Sequence, residues 1–215
     1  MALHMIEVVP ERIIRKMVRA NTWSYINKRE CGFIVYGSRK KPRSMWTSVI
    51  SRGEAKRVFL APLFILKLFT SFHTHPRAKP LPSTGDIAID LRYHKKDRYG
   101  TLEGFVIGHP ESEDSGIIAA YMVTDWGLME EVYREVEDVA EEYSRYLGGE
   151  GEKPEGIREA QKYVWERLPE FAIRQDVEYQ PHEVRITERV PIVFTEEDVN
   201  IFLREIELHP GFEIL

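Results

Sequence analysis

Two apolar runs near the middle of the chain limit the folds that it can adopt. The segments EGFVIGH (103–109) and GIIAAYMV (116–123) are joined by the polar stretch PESEDS (110–115). An earlier run, CGFIVYG (31–37), has the same apolar, β-branched and aromatic character and ends at a glycine. Short runs of this kind, bounded by turn residues, are typical of strands buried in a sheet. We therefore predict three buried strands at these positions.

Segments with helical periodicity alternate with these strands. Between Pro10 and Asn27, apolar side chains recur at the spacing of one helix face. Further helices are predicted over 83–93, 128–147, 157–168 and 195–206, and shorter strands over 45–52, 56–61, 70–75 and 184–194. This mixture of elements predicts an α/β fold.

The composition changes after Asp125, where an acidic amphipathic helix leads into GGEGEKPEG (148–156), a segment typical of flexible linkers. We therefore predict a body of residues 5–147, a linker, and a C-terminal α+β extension of residues 157–215. Apolar side chains line one face of the first helix of this extension: Ile157, Val164, Trp165 and Leu168. That face must be buried on the body, on a second copy of the chain in a homodimer, or on a substrate.

Composition and charge narrow the class of protein. The 215 residues are 43% hydrophobic and 30% charged, which is ordinary for a soluble globular protein. A net charge of −5 argues against nucleic acid as a partner, because a phosphate backbone is normally met by a basic surface. The longest apolar stretch (58–72) contains Pro62 and Lys67, so no membrane span is expected. A single cysteine, Cys31, excludes a disulfide within the chain and favours a cytoplasmic location.

The segment SFHTHPRAKPLPSTGD (71–86) carries the residues that most favour a metal site. His73 and His75 are two positions apart on a predicted strand, so both side chains leave the same face. Their ring nitrogens can bind one zinc ion, and a catalytic zinc typically has three protein ligands and one open position. Asp86 can supply the third ligand, because the proline-rich turn leads back into a helix near Ser83.

A simpler interpretation of this segment is also open. HTHP can end a strand with two histidines that face solvent. STGD matches a capping box, in which Ser83 caps the helix and the side chain of Asp86, three residues later, accepts a hydrogen bond from the amide of Ser83. Asp86 would then serve only as a cap partner, and the zinc site would lose one ligand.

Glu30 directly precedes the strand CGFIVYG. A charged residue at such a position is most often a solvated strand end. A zinc hydrolase, however, needs a carboxylate that binds no metal, takes a proton from the attacking water and gives it to the leaving amine. The neighbouring Cys31 is interpreted as a small core residue and not as a nucleophile, because no histidine accompanies it. Four further histidines are interpreted as surface or loop residues: His94, His109, His182 and His209.

Together these residues resemble the JAMM, or MPN+, metalloprotease family. The pattern of that family is a glutamate before a glycine-containing strand, followed by H-x-H-x(7)-S-x-x-D. The chain matches all five positions, with no gap in the second part: Glu30, His73, His75, Ser83 and Asp86. The resemblance covers residues 5–130.

The resemblance implies a curved mixed sheet flanked by helices and a role for each matched residue. His73, His75 and Asp86 would bind one catalytic zinc ion. Glu30 would act as general base and then general acid, and Ser83 would help to stabilise the oxyanion of the tetrahedral intermediate. Members of the family hydrolyse isopeptide or peptide bonds that follow the tails of ubiquitin-like proteins. The expected partner is therefore a ubiquitin-like protein or its conjugates.

Two alternatives remain within the same superfamily. Non-hydrolytic members act as scaffolds and lack one or more of the five residues, whereas this chain has all five. A branch associated with DNA repair shares a similar histidine–serine–aspartate core, but the net charge of −5 disfavours it here.

Overall fold

A computed structural model of the chain describes residues 5–53, 58, 60–63, 65–96 and 102–207, the last six by their backbone alone. Within these ranges the helices are α1 (Glu11–Asn27), α2 (Thr84–Lys96), α3 (Trp126–Arg134), α4 (Glu137–Leu147), α5 (Ile157–Phe171) and α6 (Glu196–Glu207). The strands are β1 (Cys31–Tyr36), β2 (Trp46–Thr47), β3 (Ser51–Arg52), β4 (Leu68–Thr74), β5 (Gly104–Pro110), β6 (Gly116–Val123), β7 (Ala172–Gln180) and β8 (Glu183–Ile186). In the part of the chain so described, no helix combines the length and apolar character needed to cross a membrane.

The three strands predicted from the apolar runs are present as β1, β5 and β6, and α1, α2, α3, α5 and α6 begin within two residues of the predicted helix starts. The segment 45–52 forms two strands of only two residues each. Within the predicted strand 56–61, residues 56, 57 and 59 lie outside the described ranges, and the rest is in no strand. Residues 208–215 of the predicted extension also lie outside them.

The strands form one mixed sheet that curls into a half-barrel, in the order β2-β1-β4-β5-β6-β7-β8, with β3 also paired to β1. Strands β4 and β5 are parallel, whereas β1–β4, β5–β6 and β6–β7 are antiparallel. Parallel neighbours need a crossover connection, and α2 lies in the one that joins β4 to β5. The turn between β4 and α2 therefore lies at the carboxyl end of β4, which is where α/β sheets commonly bind ligands.

Each face of the sheet carries its own core, because successive strand residues point to opposite faces. On β5, Val106 packs into the cluster that contains α1, whereas Phe105 and Ile107 pack into the cluster that contains α2 to α5. All three side chains are fully buried. The central strands β5 and β6 are largely apolar because both of their faces are covered by helices.

The predicted C-terminal extension shares the sheet and the core of the body. Strand β7 pairs with β6 along the whole length of β6, and β8 forms a hairpin with β7. The apolar face of α5 is buried in the same cluster as Phe105, Ile107 and Tyr121 of the body. Residues 157–186 therefore complete the body, and this face of α5 is not available to a second copy or to a substrate.

The acidic segment 128–147 was expected to form one helix, and this expectation is wrong. Helix α3 ends at Arg134, α4 begins at Glu137, and Val136 adopts a non-helical backbone between them. The break turns the apolar sides of both helices toward one core, since Met129 and Val132 of α3 and Tyr143 of α4 are buried in the same cluster.

Truncation of the chain after Leu147 should yield an insoluble or unfolded protein. The truncated chain would lose α5 and β7, leave the long strand β6 as an open edge, and expose one side of the core. Soluble yield and circular dichroism of the truncated chain measure this effect. Co-expression of residues 148–215 as a separate chain is the control, because noncovalent packing should restore solubility. A soluble, folded 1–147 fragment on its own would contradict the prediction.

Candidate metal centre

His73 and His75 lie at the carboxyl end of β4 and are both buried. His73 pairs with Ile107 of β5, and the amide of His75 donates to the carbonyl of Gly108 at 2.7 Å, one step beyond the strand. His73 is 7% exposed and His75 is 8% exposed, so neither faces open solvent. The expectation that both project from one face is confirmed, because their Nε2 atoms are 3.0 Å apart.

Asp86 lies in the first turn of α2 and completes the cluster. Its Oδ1 is 3.2 Å from Nε2 of His73, and its Oδ2 is 3.4 Å from Nε2 of His75. Ligand atoms that surround a tetrahedral zinc at 2.0–2.1 Å lie roughly 3.3 Å from one another. The two imidazoles and the carboxylate are therefore compatible with one metal ion, in both donor type and spacing.

The capping box is present as well, and it shares the carboxylate of Asp86 with the histidines. The amide and Oγ of Ser83 donate to Oδ2 of Asp86 at 2.7 and 2.8 Å, and the amide of Asp86 donates to Oγ of Ser83 at 3.1 Å. The two interpretations of STGD are thus compatible. The cap fixes the carboxylate in the orientation in which it meets both histidines.

Charges within the cluster stabilise one another. Burial alone would raise the pKa of Asp86, but its interactions with His73 and His75 outweigh this effect and hold that pKa well below its usual value. Burial would lower the pKa of His73, and the nearby Asp86 carboxylate reverses the shift and raises it. Asp86 is therefore an ionised acceptor, which is the form needed to bind a cation.

Glu30 reaches the cluster through the pairing of β1 with β4. Gly32 of β1 lies opposite His73 of β4, and Glu30 directly precedes β1, close enough for the charges of His75 and Asp86 to act on its carboxyl group. The backbone there is held by two hydrogen bonds, from the amide of Gly53 to the carbonyl of Glu30 (2.8 Å) and from the amide of Cys31 to Oγ1 of Thr74 (3.0 Å). Glu30 is half-buried, so it is not the freely solvated strand end of the simpler interpretation.

Burial raises the pKa of Glu30 to about 8, while the charge of His75 acts in the opposite direction. A cation bound by the neighbouring ligands would favour the ionised form and lower this pKa. A carboxylate whose pKa can be brought near neutrality is suited to accept and return a proton.

No protein-family model matches the chain, and no curated protein matches it at a significant level. The five residues and their arrangement therefore carry the functional interpretation by themselves.

Cys31 is buried and does not have the character of a nucleophile. Its Sγ lies 3.2 Å from the carbonyl of Ala20, and burial raises its pKa to about 11. The thiol is therefore protonated at neutral pH and packs in the core beside α1.

Sequence reasoning missed Asp90, a buried carboxylate behind the cluster. Asp90 lies one helical turn after Asp86 and accepts a hydrogen bond from Oγ of Ser71 at 2.8 Å. Ser71 precedes His73 by two residues and shares its face of β4. Burial raises the pKa of Asp90 to about 7. Two spacings in the sequence could have identified Asp90 and Ser71. Asp90 lies four residues after Asp86 on the same helix, and Ser71 lies two residues before His73 on the same strand.

Two of the other histidines are not the surface or loop residues that were expected. His109 lies on β5, and its Nδ1 is 3.2 Å from the carbonyl oxygen of His75. His94 lies on α2 and stacks on Trp126 with ring centroids 4.1 Å apart. His182 is exposed in the turn between β7 and β8, as expected, and His209 lies outside the described residues.

Proposed function

We propose that the chain is a zinc-dependent isopeptidase or peptidase of the JAMM (MPN+) type, which hydrolyses the bond that follows the tail of a ubiquitin-like modifier. The observation that carries this proposal is the gathering of His73, His75 and Asp86 at tetrahedral spacing, beside Glu30. The histidines and Asp86 flank one short turn between β4 and α2, whereas Glu30 directly precedes β1, which is distant from them in sequence. The substrate class rests on the family resemblance.

Each residue has a defined task in such a reaction. A bound zinc ion supplies Lewis acidity, which polarises the scissile carbonyl and makes water acidic near neutral pH. Glu30 takes the proton from the attacking water and passes it to the leaving amine, so that the amine departs neutral. Glu30 suits both steps because it lies beside the ligands without being one of them.

Ser83 can donate to the developing oxyanion only after a change of partner. Its hydroxyl proton now points to Oδ2 of Asp86, and a rotation about the side chain would release it. The amide of Ser83 holds the same oxygen at 2.7 Å, so the carboxylate keeps one donor from this residue during the switch. The hydroxyl therefore changes partner without freeing Asp86.

The scaffold alternative is disfavoured by the number of protein ligands. Structural zinc sites are normally closed by four protein side chains, whereas catalytic sites keep one position open. Three side chains form the cluster among the described residues, and the adjacent carboxylate, Glu30, is the group that catalysis would need.

The proposal is tested by incubating the zinc-loaded protein with a panel of ubiquitin-like conjugates, with and without a zinc chelator. We expect at least one conjugate to be cleaved at the modifier tail, cleavage to stop with chelator, and zinc to restore it. Mass spectrometry of the released tail identifies the broken bond. A protein that binds zinc but cleaves no conjugate in the panel would favour the scaffold, whereas cleavage that survives chelation would exclude the metal mechanism.

A further inference from the structure

The turn between the histidines and Asp86 is held by side chains of β6 and α5. Residues 76–83 contain three prolines, which donate no backbone hydrogen bond, so the turn cannot be fixed by its own amides at those positions. Its carbonyls instead accept from distant side chains. Oη of Tyr121 donates to the carbonyl of Pro80 at 2.6 Å, and Nε1 of Trp165 donates to the carbonyl of Pro82 at 2.6 Å.

The side-chain amide of Gln161 forms hydrogen bonds with the backbone of the two residues that flank Ser83. Its Nε2 donates to the carbonyl of Pro82 at 3.1 Å, and its Oε1 accepts from the amide of Thr84 at 3.0 Å. Gln161 is fully buried and Trp165 is 2% exposed, so water does not compete for these bonds. An amide with both ends engaged has a fixed orientation, and it fixes the backbone that it contacts.

Ser83, which lies between these two hydrogen-bonded residues, orients the carboxylate of Asp86. Both its amide and its hydroxyl donate to Oδ2 of Asp86. A displacement of the backbone at Ser83 therefore moves the carboxylate relative to His73 and His75. Metal affinity is sensitive to such displacements, because ligands must stay within a few tenths of an ångström of their ideal distances.

We propose that Gln161 and Trp165 of α5 are positioning residues for the metal centre, which they serve by fixing the backbone on both sides of Ser83 and thereby the carboxylate of Asp86. This inference rests on the proposed metal site and extends it to a helix outside the region that the family pattern covers. A buried glutamine can also serve stability alone, so the two roles must be separated by experiment.

Gln161→Met removes both hydrogen bonds while keeping a side chain of similar length. The matched control is Gln175→Met, since Gln175 is equally buried on β7 and its Oε1 accepts the amide of Ile6 at 3.2 Å, in the other cluster. Zinc dissociation constants are measured by competition with a chromophoric chelator, together with the thermal midpoint of each metal-free protein. We expect both variants to lose thermal stability. Zinc affinity should fall roughly 10–100-fold in Gln161→Met and stay within about threefold of the original in Gln175→Met.

A second variant keeps the test decisive if Gln161→Met fails to fold. Trp165→Phe keeps most of the ring packing and removes only the donor to Pro82, so it should weaken zinc binding in the same direction by a smaller factor. The visible absorption of the Co²⁺-loaded protein should also change in the α5 variants, because it reports the ligand geometry, and should not change in Gln175→Met.

Unchanged zinc affinity in a folded α5 variant, or an equal loss in Gln175→Met, would overturn the positioning role while leaving the proposed function intact. A failure of the unsubstituted protein to bind zinc would instead remove the metal site, and with it both proposals.

Discussion

Replacement of both His73 and His75 by alanine should lower the zinc content of the purified protein from about one ion per chain to almost none. The double variant removes two of the three ligands, and a single carboxylate cannot hold zinc against dialysis. Metal analysis after exhaustive dialysis measures this content, and circular dichroism checks that the protein is folded. Turnover should disappear with the metal, and added zinc should not restore it.

A matched control removes two histidines that do not belong to the cluster. His94 stacks on Trp126, and His182 is exposed in the turn after β7. The His94→Ala, His182→Ala double variant should keep its zinc, which separates a ligand effect from a general loss of histidine. Full zinc occupancy in the His73, His75 variant would place the metal elsewhere and end the present assignment.

The grouping of the three candidate ligands was predictable because local rules place them. Side chains two apart on a strand share a face, and a residue three positions after a helix cap lies in the first turn of that helix. His73, His75 and Asp86 obey these rules, and the connection between them is only ten residues long. The sequence could not show that the cap and the ligand are the same carboxylate, since that depends on how α2 docks beside the end of β4.

Glu30 could not be placed by any local rule. Its position beside the cluster follows from the pairing of β1 with β4, whose paired residues are 32 to 41 positions apart along the chain. The residues alone favoured a solvated strand end, and the family resemblance favoured a catalytic carboxylate. Proximity to His75 and Asp86 agrees with the second interpretation.

Strand β7 was missed because its sequence, AIRQDVEYQ, lacks the apolar pattern of a buried strand. Arg174 and Asp176 are both largely buried there, and they satisfy each other by two hydrogen bonds of 2.8 Å. Such compensation cannot be seen in composition, since either residue alone would indicate an exposed position. The sequence pattern therefore did not predict β7, the strand that joins the C-terminal segment to the sheet of the body.

Gln161 did leave a signal in the sequence. The predicted apolar face of α5 contains Ile157, Val164 and Leu168, and Gln161 lies at helical spacing within that face. A polar side chain in an apolar stripe must be hydrogen-bonded when the face is buried. The pattern could thus predict that Gln161 has buried partners, whereas their identity required the fold.

Glu30→Gln should reduce turnover by roughly 10²-fold or more while leaving the zinc content unchanged. Glutamine keeps the shape of the side chain but cannot accept the proton from the attacking water. Zinc should stay because Glu30 is not one of the ligands. The thermal stability of the metal-free protein should not fall, since burial already disfavours the charged form of Glu30 there and the amide has no charge to desolvate.

Glu183→Gln is the matched control for this substitution, because Glu183 also stands at the start of a strand but is exposed at the edge of the sheet. If Glu30 were only a strand end, both variants would behave alike. Steady-state rates on a cleaved conjugate, with metal content measured on the same samples, distinguish the two cases. A zinc-loaded Glu30→Gln protein whose turnover stays within about threefold of the original would show that another group carries the proton, because a lost general base costs far more than that.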